Sequence, residues 1–157
     1  MELNNNTSLF RFEDLRIYSK AIDYSKWLLA TLKEPRNAME KNLFDSFLHS
    51  SYDIALNIAE GSSRNKSQFE HYLKISKTAI RECIVYTAIA YGNGLLDEEE
   101  NTTSRELLME LTRMIGALII SLQKGTRRTH EDEPESAPSP LDDIETSFNT
   151  DFPELDN

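Results

Sequence analysis

Histidine, cysteine and acidic side chains carry much enzymatic and metal-binding chemistry. This chain places few of them in the patterns of known catalytic or metal-binding motifs. Its three histidines are His49, His71 and His130, and its single cysteine is Cys83. A di-metal site in a helical bundle needs Glu-x-x-His pairs, and the sequence contains none. It also contains no Gly-x-Ser-x-Gly nucleophile turn and no glycine-rich phosphate loop. We therefore predict a non-enzymatic protein with no catalytic residue, no metal site and no cofactor.

Basic residues form a pattern that fits nucleic-acid binding. Lys66, Lys74, Lys77 and Arg81, with Glu70 among them, recur at steps of four, four, three and four residues. This spacing places all five on one helix face, over about 22 Å. Such a line can follow a phosphate backbone through salt-dependent contacts. The alternative is a solvated face with an ion pair between Glu70 and Lys74, since no aromatic residues alternate with the cations to stack unpaired bases.

Four stretches carry apolar residues at alternating three- and four-residue steps, which is typical of the buried face of a helix. They predict helices over residues 14–33, 38–60, 68–91 and 104–124. Because the connections are short, neighbouring helices should run in opposite directions. The predicted fold is all-α: an antiparallel up-down-up-down four-helix bundle over residues 13–124.

The first helix presents two candidate apolar faces. We predict that the buried one consists of Leu15, Tyr18, Ile22, Ser25, Leu29 and Leu32. Ile17, Tyr24 and Trp27 lie beside that line, and we expect them to form an exposed apolar strip for self-association.

Capping residues and glycines indicate where the helices begin and end. Asn37-x-x-Glu40, Ser67-x-x-Glu70 and Thr103-x-x-Glu106 each place a capping side chain three residues before a glutamate. Gly61, Gly92 and Gly125 follow three of the apolar patterns, where glycine commonly terminates a helix. These signals agree with the apolar periodicity.

The acidic charge is concentrated in the last part of the chain. Residues 1–124 carry 15 Lys and Arg against 17 Asp and Glu, whereas residues 125–157 carry 2 against 10. We predict a flexible N-terminus over residues 1–12 and a mostly disordered acidic tail over residues 125–157. Apolar residues of the tail recur at helical steps that could bind a partner, namely Leu141, Ile144, Phe148, Phe152 and Leu155. The alternative is a solvated tail, since Pro153 interrupts this pattern.

The N-terminal residues and the apolar content predict the compartment. Residues 1–6 contain neither the basic nor the apolar region of a secretory signal. No apolar run approaches the length of about 18 residues that spans a membrane. A lone cysteine forms no internal disulfide. We expect a cytoplasmic protein without membrane contact.

The end of the second predicted helix carries a family resemblance. The residues Asn57-Ile58-Ala59-Glu60-Gly61 are followed by Arg64, and Phe12-Glu13-Asp14-Leu15 stands near the start of the chain. Over residues 10–124 the chain resembles the four-helix-bundle proteins encoded in intervening sequences of bacterial large-subunit (23S) ribosomal RNA genes. The resemblance implies a homo-oligomeric bundle, typically a pentamer, without known enzymatic activity. Distant relatives are accessory proteins of diversity-generating retroelements, in which a basic surface engages reverse transcriptase and RNA.

The chain departs from that family at one place. Many relatives carry two arginines on the second helix, about eight residues before the asparagine of the motif, where this chain has Leu48 and His49. This difference weighs against RNA binding through the second helix. We expect Asn57 and Glu60 to have a structural role at the junction after the second helix, with Arg64 paired to Glu60.

One pair of residues also fits a catalytic motif. Arg64 and His71 match the loosest form of the Arg-x(4–6)-His motif of HEPN-type ribonucleases, in which arginine holds the phosphate and histidine transfers protons. The family motif already accounts for Arg64, so this ribonuclease is a minor alternative.

Two main functional hypotheses remain. The first is a homo-oligomeric accessory protein that associates with RNA or a nucleoprotein through the basic line of the third helix. The second is an interaction scaffold that recruits a protein through the acidic tail.

Overall fold

The computed structural model describes residues 10–131, and these residues form four α-helices with no strand among them. A short 3₁₀ helix, Arg11–Asp14, precedes α1, Arg16–Thr31. The remaining helices are α2, Ala38–Ser62, α3, Lys66–Gly92, and α4, Glu98–Glu131. The all-α prediction is confirmed for the described residues. The helix bounds differ most for α4, which begins before and ends after the predicted residues 104–124.

The helix starts explain these differences. Asn37 caps α2 as predicted, since its side chain accepts a hydrogen bond from the Glu40 amide at 2.9 Å. The predicted caps of α3 and α4 are wrong. Asn65 caps α3 through the Gln68 amide. At the start of α4, Asp97 and Glu100 each accept the other's amide at 2.8 Å, a reciprocal capping arrangement six residues before the predicted one.

Of the three predicted glycine stops, only Gly92 lies at a helix end, and it does not take the left-handed conformation. Gly92 is the last residue of α3, and Gly94 follows with a φ of 69°, in the left-handed region that glycine favours. Gly61 lies inside α2, and Gly125 lies inside α4. Part of the predicted tail, residues 125–131, is therefore helical. The rest of the tail prediction lies outside the described residues.

The buried face of α1 differs from the predicted one. Ile17, Ala21, Tyr24, Ser25 and Leu28 are its buried residues. Because Ile17 and Tyr24 are buried, they cannot form the predicted exposed strip. The residues that we predicted to be buried lie instead along the outer boundary between α1 and α2. There Tyr18 and Ile22 are half-buried and Leu29 is 59% exposed. The two apolar faces of α1 lie side by side, so apolar periodicity alone does not indicate which of them is buried.

Each helix packs against two others. α1 and α3 both contact α2 and α4, and side chains from all four helices surround one core. The buried serines Ser25 and Ser76 donate hydrogen bonds to the α2 carbonyl oxygens of Ser51 and Ile54, both at 3.2 Å. Small side chains thus permit close packing of α2 against its neighbours. Within residues 10–131, no helix is long and apolar enough to cross a membrane.

Candidate functional site

The junction between α2 and α3 contains the motif from Asn57 to Arg64. Gly61 is buried in the last turn of α2. A Cβ at this position would lie 2.6 Å from the Tyr72 Cβ and 2.8 Å from a Phe69 ring carbon. Glycine therefore permits the first turns of α3 to pack directly on the end of α2. This role is different from the helix termination that we predicted.

The charged residues of the junction pair with each other. Arg64 forms the predicted ion pair with Glu60, and its Nε donates to the Glu60 carboxylate at 3.0 Å. This hydrogen bond raises the pKa of Arg64. The Asn57 side chain does not bond the free backbone groups at the end of α2, because its amide donates to the Asp53 carbonyl one turn back in α2. Ile58 is buried, and Ala59 is half-buried.

The two residues of the ribonuclease motif have separate surroundings. The Arg64 guanidinium is held by Glu60, whereas His71 is exposed on α3 and its ring makes an edge contact with Tyr72. Within the described residues, no hydrogen bond joins Arg64 to His71. The structure does not bring the pair together as a site.

The basic line of α3 lies on the side of α3 that meets α4. Lys66, Lys74 and Arg81 are exposed, and Lys77 is half-buried. The Lys66 ammonium lies beside the end of α4, at 3.1 Å from where a Gly125 Cβ would stand. The side chains of Lys77 and Arg81 form no hydrogen bond or ion pair with any other residue of the described range. Two of the four cations are thus available to an external anion.

Glu70 neutralises part of this line. Its carboxylate forms an ion pair with Lys74 at 2.6 Å and accepts a hydrogen bond from Gln123 of α4 at 2.8 Å. The hydrogen bond from Lys74, followed by that from Gln123, lowers the pKa of Glu70. The carboxylate therefore stays charged at neutral pH. Glu82, beside Arg81 in sequence, instead accepts a hydrogen bond from Ser50 of α2 at 2.8 Å.

An apolar groove follows the outer seam between α1 and α2. Tyr18, Ile22 and Leu29 line it from α1, and Tyr52 and Leu56 line it from α2, around a cavity of about 530 Å³. Leu56 is 62% exposed and Leu29 is 59% exposed. We call this surface the α1–α2 groove. The sequence pattern missed it because Tyr18, Ile22 and Leu29 were assigned to the core.

A second feature absent from the sequence prediction is a group of buried hydroxyls. The Tyr24 hydroxyl lies 3.0 Å from the Ser104 hydroxyl, which lies 2.7 Å from that of Thr87. Thr87 also donates to the Cys83 carbonyl at 2.8 Å. Burial raises the pKa of the Cys83 thiol to about 12 and raises the pKa of Tyr24. The thiol is therefore protonated at neutral pH and is a poor nucleophile.

Comparison with known protein families supports the resemblance of the junction. The family model of the 23S rRNA-intervening sequence protein matches residues 13–117, a span that includes the whole motif from Asn57 to Arg64. The chain belongs to this family. No curated protein matches it. Within residues 10–131, no three His, Cys, Asp or Glu side chains lie together in a way that could hold a metal ion.

Leu48 and His49 stand where the resemblance places two arginines. Leu48 is half-buried against the core, and His49 is exposed with its Nδ1 2.7 Å from the Asp45 carbonyl. The residues proposed for partner binding in the tail, 141–155, lie outside the described residues.

Proposed function

We propose that this family member is a non-enzymatic accessory protein that binds RNA through α3. The observation that carries the proposal is that Arg81, which is exposed, and Lys77, which is half-buried, lie on one side of α3 without an acidic partner within residues 10–131. Lys66 extends the same side toward the end of α4. The family name, which refers to ribosomal RNA, supports RNA as the ligand.

The proposed RNA contact is electrostatic and modest. Three cations that contact phosphates would give a slope of log affinity against log salt of about −2 to −3, at about 0.7–0.9 per phosphate. Lys74 contributes little in this state because Glu70 already holds it. A single copy therefore binds weakly, and several linked copies would bind by avidity.

We propose self-association into a homo-oligomer, a pentamer by the family resemblance. A five-membered ring needs two different surfaces on each subunit, which meet head to tail. Exposed apolar side chains lie on two faces that meet this requirement. Met39 of α2 and Ile89 of α3 line one hollow and are 83% and 41% exposed, while Met109 and Ile120 of α4 are 49% and 53% exposed.

We also propose that the helices alternate in direction, as in an up-down-up-down bundle, and that the protein is cytoplasmic. Glu70 near the start of α3 bonds Gln123 near the end of α4, while Thr87 near the end of α3 bonds Ser104 near the start of α4. These two pairs support opposite directions for α3 and α4. The single, buried cysteine agrees with a reducing compartment.

Fluorescence anisotropy with a labelled single-stranded RNA tests the RNA proposal. The full chain is compared with the Lys77→Gln/Arg81→Gln variant across a salt series. The variant should bind more weakly, and its salt slope should be smaller by about 1.4–1.8, since two phosphate contacts are lost.

The control is Arg16→Gln, which removes an exposed cation at the start of α1. It should leave the affinity and the slope close to those of the unchanged chain. No binding by the unchanged chain, or equal loss in both variants, would contradict the assignment to α3. Sedimentation at five times the 18.0 kDa chain mass is expected for the pentamer, and a monomer would refute it.

A further inference from the structure

The α1–α2 groove lies outside the basic line of α3 and has no part in the proposed RNA contact. Its walls are apolar and open to solvent, and the Ser25 hydroxyl in its lining is already bonded to the Ser51 carbonyl. The groove thus offers apolar contact rather than hydrogen bonds. Exposed apolar surfaces of this kind mark sites of interaction.

We propose that this groove binds residues 141–155 of the same chain. Leu141, Ile144, Phe148 and Phe152 recur at i, i+3, i+7 and i+11. This is the spacing with which an amphipathic helix places its apolar side chains into a hydrophobic groove. Pro153 ends such a helix after the fourth anchor, and Leu155 follows as an additional apolar contact.

The length of the segment matches the length of the groove. A helix from residue 141 to residue 152 is about 17 Å long at 1.5 Å per residue. The helical span from Tyr18 to Leu29, which lines the α1 side of the groove, has the same number of residues and hence the same length of about 17 Å. The segment is therefore as long as the α1 wall of the groove.

The end of α4 places the segment within reach. Lys20 of α1 pairs with Glu110 of α4 at 3.0 Å, while Tyr24, further along α1, bonds Ser104, earlier in α4. The end of α4 is thus on the side of the bundle where α1 begins, next to the Phe12 end of the groove. α4 continues 21 residues past Glu110, or about 31 Å at 1.5 Å per residue. Residues 132–140 can extend about 30 Å, so the linker must be nearly fully extended to return to the groove and cross α1.

The charges of the two surfaces are complementary. Lys26 borders the groove, and the hollows that continue it at either end include Arg11 and Lys33. Within the described residues, none of these three cations has an ion pair. Of the three acids in these hollows, Glu60 and Asp45 are already paired with Arg64 and Lys41, whereas Glu34, next to Lys33, has no ion pair within the described residues. Residues 141–157 contain six acids and no Lys or Arg.

The segment fits the groove better than the basic line of α3. Both surfaces attract acids, but five apolar side chains of the segment need an apolar surface of similar length. The groove combines apolar walls with a basic border, and it lies within reach of α4. The tail is therefore an internal ligand of the bundle rather than a solvated extension.

Paramagnetic broadening in the full chain tests this proposal. A nitroxide on Thr146→Cys lies on the side of the segment away from the anchors, and the buried Cys83 should resist labelling. The amide signals of Ile22, Tyr52 and Leu56 should broaden, and those of Lys77 and Arg81 should not. In a co-refolded mixture of isotope-labelled and spin-labelled chains, the broadening should be absent, because the contact is within one chain.

Leu56→Gln and Val85→Gln are matched variants of exposed apolar residues, at 62% and 56% exposure. Leu56→Gln should abolish the broadening at Ile22 and Tyr52, and Val85→Gln should preserve it. Since neither residue is in the core, circular dichroism should show both folded. Broadening at Lys77 and Arg81, broadening in the mixed sample, or no broadening anywhere would overturn the proposal.

Discussion

Replacing Gly61 with alanine tests whether the close approach of α2 and α3 requires the family glycine. The new Cβ would lie 2.6 Å from the Tyr72 Cβ and 2.8 Å from the Phe69 ring. The Phe69 ring can rotate, but the Tyr72 Cβ is fixed to the α3 backbone. Relief of the first contact therefore requires the start of α3 to move away from α2. Replacing Tyr72 with alanine would not remove this contact, because alanine retains the Cβ atom.

The net effect is the difference between two opposing contributions. Alanine is favoured over glycine inside a helix by about 1 kcal/mol, whereas overpacking a core costs about 1–3 kcal/mol. Because one clash is with a backbone-attached atom, we expect the upper value, and a net loss of unfolding free energy of about 2 kcal/mol. Urea unfolding should show a lower midpoint with an unchanged slope.

Gly116→Ala is the matched control, since Gly116 also lies inside a helix, α4. Apart from the backbone of α4 itself, no atom lies within 4 Å of the position that an added Cβ would take. This substitution should stabilise the chain by about 0.5–1 kcal/mol. If Gly61→Ala also raised the urea midpoint, the helix preference would outweigh the clash. The assignment of Gly61 as a close-packing residue would then be wrong.

Three further predictions concern the buried hydroxyls, the pH dependence and the basic line of α3. Ser104→Ala should cost about 1–3 kcal/mol by leaving the Tyr24 hydroxyl without its partner, and the Tyr24→Phe/Ser104→Ala double variant should lose less than the sum in a double-mutant cycle. Because the pKa of Cys83 is raised from 9.0 to about 12 by burial, the unfolded chain releases this proton first. Stability should then fall as pH rises from 9 to 12, and less steeply in Cys83→Ala, by calorimetry. Glu70→Gln should raise RNA affinity in the anisotropy assay by freeing Lys74, and unchanged affinity would place Lys74 outside the interface.

The sequence predicted helical content well because apolar periodicity is a local pattern. In α3, for example, the buried residues Leu73, Ser76, Ile80, Cys83 and Thr87 recur at alternating three- and four-residue steps. Helix starts were less predictable, since several asparagines, serines and threonines precede a glutamate or glutamine by three residues. Asn65 was overlooked as a cap because its partner three residues later is Gln68 rather than a glutamate. The spacing allowed either Asn65 or Ser67 to cap α3, and the folded chain uses Asn65.

The junction motif illustrates what sequence spacing could predict about a site. The Glu60–Arg64 pair follows from a four-residue spacing across the end of α2. The role of Gly61 depends on Tyr72, which belongs to the next helix. No pattern within α2 indicates that contact. The burial of Tyr24 depends likewise on hydroxyls of Thr87 and Ser104, which lie far along the chain.

The wrong prediction for α1 bears on the groove itself. Tyr18, Ile22 and Leu29 have the spacing of a buried face, yet they remain partly exposed in the described residues. A helix needs one apolar stripe to join a bundle, and Ile17, Tyr24 and Leu28 already provide it for α1. A second stripe at helical spacing is unnecessary for the four helices alone. It is accounted for if a further helical segment packs along the α1–α2 seam, as we propose for residues 141–155.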